Sequence, residues 1–137
     1  MPLISSKGMY GLAAMHELLQ HDQDTPMQIR EISANADIPQ NYLEQLLSKL
    51  RKADLVKSIR GSRGGYMLAA DPKDILIKDI LIALEDDIKI TDTKSNSPVL
   101  NLFFEETKGK ISQIFDLSLA DLEEYQKKYN EYLHYSI

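Results

Sequence analysis

Residues 41–68, NYLEQLLSKLRKADLVKSIRGSRGGYML, constrain the fold of this 137-residue chain more than any other stretch. Leu43, Leu46, Leu47 and Leu50 recur at i, i+3, i+4 and i+7, one face of a 3.6-residue repeat, which predicts a helix over about 39–51 with that stripe inward. The opposite face carries Asn41, Glu44, Gln45 and Ser48, side chains of hydrogen-bonding rather than packing length. Val56 to Ile59 reads as a strand, residues 61–65 as a glycine-rich loop, and Tyr66 to Ala69 as a return strand. A glycine-rich tip tolerates positive φ and lets the backbone approach a surface closely. The pattern is a polar-faced helix followed by an arginine-tipped β-wing.

These residue types point to nucleic acid. Asn and Gln bond adenine bidentately and Glu accepts from cytosine in a major groove. Asn41, Glu44 and Gln45 are therefore the candidate base contacts. Lys49, Arg51, Lys52, Lys57, Arg60 and Arg63 follow at once, set to meet phosphates, and a narrow minor groove attracts an inserted Arg. The competing reading of the wing is a solvated hairpin with incidental arginines.

A formal charge of −5 opposes this reading only as an average over two unlike halves. Residues 1–69 hold 8 basic and 7 acidic side chains, residues 70–137 hold 8 and 14, and residues 41–66 hold 6 and 2. Exposed charges act over about a Debye length, ~8–10 Å, so DNA responds to the local patch. The acidic half belongs on the side away from it. No apolar run approaches the ~18 residues needed to cross a bilayer, and the first residues do not form a signal peptide. A cytoplasmic protein without membrane association is expected.

Upstream, a helix is predicted over Ile4–Leu19, striped by Leu12, Met15, Leu18 and Leu19 and capped by Ser5 or Ser6. Gly8 and Gly11 weaken its first turns, or else permit close approach to another helix or to DNA. Gln28–Ala36 is a short helix. Pro39 breaks it from the next, and the pair reads as a helix-turn-helix. Downstream, a helix is predicted over Asp74–Leu84, and residues 86–98 read as a linker. The expected class is mainly α: a winged helix-turn-helix domain (1–85) with a two-stranded β-wing, the linker, and C-terminal dimerisation helices (99–137).

Val99–Leu117 is the second organising helix. Leu100, Phe104, Thr107, Ile111, Ile114 and Ser118 are spaced 4, 3, 4, 3, 4 as an a/d seam, widened by Phe103 and Phe115. Gly109 allows a kink or break. Leu100, Phe103, Phe104, Ile111, Ile114 and Phe115 are the candidate dimer contacts, with packing inside one chain as the alternative. A last helix over Leu119 to about Tyr132 opens at Ser118 with Asp121, Glu123 and Glu124 in its first turn.

With these elements in order, the chain resembles the Rrf-two family of bacterial winged-helix regulators. The resemblance rests on Ser6-Lys7-Gly8, Tyr10-Gly11, Tyr42-Leu43-Glu44-Gln45-Leu46, Leu50-Arg51-Lys52, Leu55-Val56, Ser58-Ile59-Arg60-Gly61, Gly64-Gly65-Tyr66 and Leu68. It covers most of residues 4–85; the last third matches by helical pattern only. It implies a homodimer on a palindromic operator, with Asn41, Glu44 and Gln45 at base edges and Arg60 at the wing contact. Ser6, Lys7, Tyr10 and Arg51 then fall on backbone-positioning roles. Asn41 stands where cluster-binding members have serine, which bears on the sequence preferred.

Those members hold an iron–sulfur cluster with three cysteines in the region of residues 86–98. Here there is no cysteine at all, so no thiolate-held cluster, disulfide or thiol chemistry is expected. His16 and His21 are five apart, a poor spacing for one helical face, and no metal or other cofactor is expected. SRGGY lacks the order of a phosphate-binding GxxxxGK[ST] loop. Glu105-Glu106 and Asp86-Asp87 are adjacent carboxylates on diverging faces, poor acid/base pairs, and no enzyme is expected. The sequence therefore reads as a dimeric, sequence-specific transcription regulator, most simply a repressor. Its control would come from a small ligand, a protein partner or its own expression level. The competing class is a protein-interaction module whose winged domain no longer binds DNA.

Overall fold

The structure, a computed structural model, describes residues 2–136; the outer limits expected for the two units, residues 1 and 137, lie outside these. The order is α1 (Ser6–Gln20), α2 (Ile29–Ala36), α3 (Gln40–Lys52), β1 (Val56–Ile59), β2 (Gly65–Leu68), α4 (Ile77–Glu85), α5 (Pro98–Ile114) and α6 (Leu122–Ser136). Single 3-10 turns occupy Pro72–Asp74 and Leu119–Asp121. This is the mainly helical winged helix-turn-helix expected, with one antiparallel hairpin for its wing.

The stripe of α3 does what its spacing predicts: Leu43, Leu46, Leu47 and Leu50 are all fully buried. They meet Met15 and Leu18 of α1, Ile32 of α2, and Ile80, Leu81 and Leu84 of α4 in one core. The turn between α2 and α3 is closed by Asp37 in the left-handed region (φ 54°). Ile38 is buried there, and the Ser33 hydroxyl donates to its carbonyl at 2.5 Å.

Gly8 and Gly11 serve helix packing. A Cβ on Gly11 would collide with the Leu84 side chain, and one on Gly8 would strike Glu85 and Ile4. Their absence lets α1 lie close against α4. Glu85 uses that proximity: its Oε1 accepts from the Ser5 N–H at 2.8 Å, the Ser5 hydroxyl at 2.6 Å and the Gly8 N–H at 3.1 Å. A carboxylate at a helix N-terminus satisfies orphan donors and complements the dipole. Ser5 is thus the N-cap residue by position, but the capping acceptor comes from α4.

The hairpin pairs Val56 with Leu68 and Ile59 with Gly65. Met27, just before α2, adds a rung: its N–H donates to the Tyr66 carbonyl at 2.9 Å and its carbonyl accepts from the Tyr66 N–H at 2.8 Å. A Cβ at Gly65 would run into the Met27 main chain, so the close approach requires glycine there.

Two helix boundaries moved, for one reason. Residues 75–77 pair in extended form with 117–119: the Leu119 N–H donates to the Ile75 carbonyl at 2.7 Å and the Ile77 N–H to the Leu117 carbonyl at 2.8 Å. Helix α4 therefore starts at Ile77 rather than Asp74, and α5 stops at Ile114 rather than Leu117. Ser118 is not a seam residue; with Asp121 it forms a capping box opening the turn before α6. Gly109 does not break α5. Leu119, from beyond the linker, is fully buried in the winged core.

Leu47→Ala should lower the unfolding free energy by about 2–5 kcal/mol, read from the urea midpoint. Gly11→Ala, which forces Leu84 to repack, should cost about 1–3 kcal/mol in the same assay.

Candidate nucleic-acid interface

With its leucines inward, α3 turns Asn41, Glu44 and Gln45 to solvent. Asn41 lies in the first turn, after Pro39 at the N-cap position. Tyr42, between the two faces, meets Tyr10 of α1 edge-on with ring centroids 5.8 Å apart. Tyr10 is therefore half-buried and helps seat α3, whereas Ser6 and Lys7 stand exposed at the start of α1. Arg51 and Lys52 are exposed and Lys49 is half-buried in the last turn of α3, where cations also suit the helix dipole.

The wing stands beside α3 with Arg60 and Arg63 exposed and Gly61 at φ 114° in the tip. Two clefts flank it. One, of about 560 Å³, lies between the wing and the starts of α2 and α3 and is lined by Gln28, Arg30, Gln40, Arg60 and Tyr66. The other, of about 540 Å³, lies on the side of the end of α3 and is lined by Arg51, Asp54, Lys57, Arg60 and Tyr66. Arg60 belongs to both. The described ion pairs, Lys78–Asp116, Lys108–Asp87 and Lys127–Glu124, involve no basic residue before position 78. The guanidinium groups around the wing are thus without carboxylate partners among the described residues.

The sequence reading missed Gln28, Arg30 and Gln40. Arg30 is the one basic residue between Lys7 and Lys49, which was a signal. Its nearness to the wing depends on the Met27–Tyr66 pairing, which was not legible.

On α5, Leu100, Phe103, Phe104 and Ile114 are 48, 57, 38 and 65% exposed. Ile111 is half-buried, and Phe115, just past the end of the helix, packs against the chain's own core. The exposed apolar surface also includes Val99 and Leu102 of α5 and Tyr125 and Tyr129 of α6.

A polar-faced second helix of a helix-turn-helix, next to a basic β-wing, defines a winged-helix DNA-binding regulator. The Rrf2 (Rrf-two) family, described as "Iron-dependent Transcriptional regulator", matches residues 4–131. This chain belongs to that family. The HTH-type transcriptional regulator CymR of Bacillus subtilis is 36% identical over 124 residues, 89% of this chain and 90% of that protein. The HTH-type transcriptional regulator IscR of Vibrio atlanticus is 42% identical over 88 residues, 64% of this chain but only 51% of IscR. Among solved structures, B. subtilis CymR, titled the global cysteine regulator, superposes with a TM-score of 0.80 at 36% identity, over 91% of this chain and 98% of that one. The IscR of T. potens gives 0.78 at 38% identity, over 92% and 89%. These relatives regulate transcription and are not enzymes.

The family description invokes iron, and the donor set here does not fit an iron–sulfur cluster. There is no cysteine, and among the described residues no three of His, Asp and Glu converge. The acidic residues of segment 86–97 are Asp86, Asp87 and Asp92, and Asp87 is engaged by Lys108 at 2.8 Å. The segment is closed by protein groups: Asn101 Oδ1 accepts from the Ser95 N–H at 3.1 Å, and Asn101 Nδ2 donates to the Ser95 carbonyl at 2.9 Å.

Hydrogen bonds from Lys108 and then from the Ile88 N–H hold the Asp87 carboxyl below its ordinary value of 3.8. A depressed carboxylate stabilises the fold above its unfolded pKa, and that contribution is lost as pH falls through the lower folded value. The anchor of segment 86–97 to α5 is therefore intact at neutral pH and released in acid. An NMR titration should place Asp87 below an ordinary Asp, and Lys108→Ala should return it toward that value.

Proposed function

We propose that the chain is a homodimeric, sequence-specific repressor. In this reading α3 enters the major groove with Asn41, Glu44 and Gln45 at base edges, and the wing reaches the adjacent minor groove through Arg60. Ser6, Lys7, Tyr10, Lys49, Arg51, Lys52 and Arg63 position the duplex through its backbone. The observation that carries the reading is the division of α3: its apolar stripe is wholly buried, Asn41, Glu44 and Gln45 on the other face are exposed, and the cations around it lack carboxylate partners among the described residues.

Residues 1–85 act as the reading unit and residues 99–137 as the pairing unit, joined by 86–98. The unburied Leu100, Phe103, Phe104 and Ile114 support pairing of two copies along α5, with Ile111 and Phe115 beside them. A two-fold pair reads a palindrome with half-sites about one helical turn, ~10 bp, or a multiple apart. The donor set supports regulation without a cluster, through a protein partner or a small effector, in the cytoplasm.

Binding to a palindromic duplex across a salt series tests the contacts. Glu44→Ala or Gln45→Ala should relax base preference by about 1–3 kcal/mol at one position. Arg51→Ala should weaken all sequences alike and lower the slope of log affinity against log salt by about 1. If Glu44→Ala alters no base preference, the recognition-helix assignment is wrong. Sedimentation of the wild type should give a dimer, and Phe103→Glu should give monomers that lose operator binding. A folded wild-type monomer at micromolar concentration would remove the palindrome. Loss of all DNA affinity in the intact protein would favour the interaction-module alternative.

A further inference from the structure

We infer that the cleft between α2 and the wing is a phosphodiester channel, in which Arg30 and the shaft of the wing grip the backbone of one DNA strand. The inference rests on the docking just proposed. In a duplex, the sugar–phosphate strand is the ridge that separates the major groove from the minor. A protein with a helix in one groove and a wing in the next must leave a saddle for that ridge. The cleft of about 560 Å³ has this position: Gln40, the residue before Asn41, lies on one wall, and Ser58, Ile59 and Arg60 of the wing lie on the other.

Its chemistry suits the same ligand. No carboxylate lines the cleft, while two guanidinium groups do. Arg30 has a single hydrogen bond, a long one of 3.4 Å to the neutral Gln28 side chain, and no ion pair among the described residues. Two uncompensated cations in one cleft call for an anion, and the planar guanidinium matches phosphate oxygens bidentately. Gln28 and Gln40 add neutral donors. The wall is firm, because Gly64 and Gly65 are packed against the main chain of Ile59 and Met27 with no room for a Cβ. The channel is therefore preformed, and Arg30 acts as a backbone contact that carries no sequence information.

The test uses the full-length protein and a palindromic duplex. Phosphate-ethylation interference on the wild type should mark a phosphate between the α3 site and the wing site. In Arg30→Ala that phosphate should cease to matter, the salt slope should fall by about 1, and specific and scrambled duplexes should weaken by the same factor. Arg30→Lys, which keeps the charge, should restore the salt slope. Unchanged affinity and slope in Arg30→Ala would overturn the channel, as would a changed preference at one base with the slope intact. Arg60→Ala and Glu44→Ala run alongside: if they bind less well while Arg30→Ala does not, only the channel is wrong, and if all three match the wild type, the docking itself fails.

Discussion

The burial of four leucines on α3 sets the rest. Each of Leu43, Leu46, Leu47 and Leu50 is removed from water, worth roughly 1.5–3 kcal/mol apiece in transfer terms. Turning the helix about its axis would forfeit that burial and add to the loss the cost of burying Glu44 and Gln45 without partners. The orientation of the candidate reading face is thus a by-product of core packing, and needs no contact made by that face itself. Tyr10 against Tyr42 and the close seat of α1 on α4 brace the same helix from behind.

What could be read from the sequence was local. The leucine spacing, the proline between the two helices and the glycine-rich hairpin each specify their geometry within a few residues, and the structure has them at the expected places. What could not be read was made by contacts distant in sequence. The pairing of 75–77 with 117–119 shortened α5 and left Ser118, which the sequence offered both as a seam position and as a cap, with only the second role. The same applies to Arg30, which sits on an unremarkable helix until Met27 pairs with Tyr66 and brings that helix to the wing. Gly8 and Gly11 could be read as helix weaknesses or as points of close approach, and the choice was open because their partners, Glu85 and Leu84, lie more than seventy residues away.

Segment 86–97 is held by the chain's own side chains. The family to which the chain belongs is described through iron, yet here the connection to α5 is tied by an ion pair and by the reciprocal hydrogen bonds of Ser95 and Asn101. An exposed ion pair of this kind is worth little in isolation. Its effect is to give the entry to α5 a defined course without any bound group.

The Met27–Tyr66 rung divides the wing into two mechanical parts. The stem is tied to the start of α2 by two main-chain hydrogen bonds and by glycines with no spare room. Residues 61–63 lie beyond that tie, with open space around Gly61. Freedom to adapt is thereby confined to a three-residue fingertip, while the knuckle beneath it is fixed and sets the spacing between helix and hairpin.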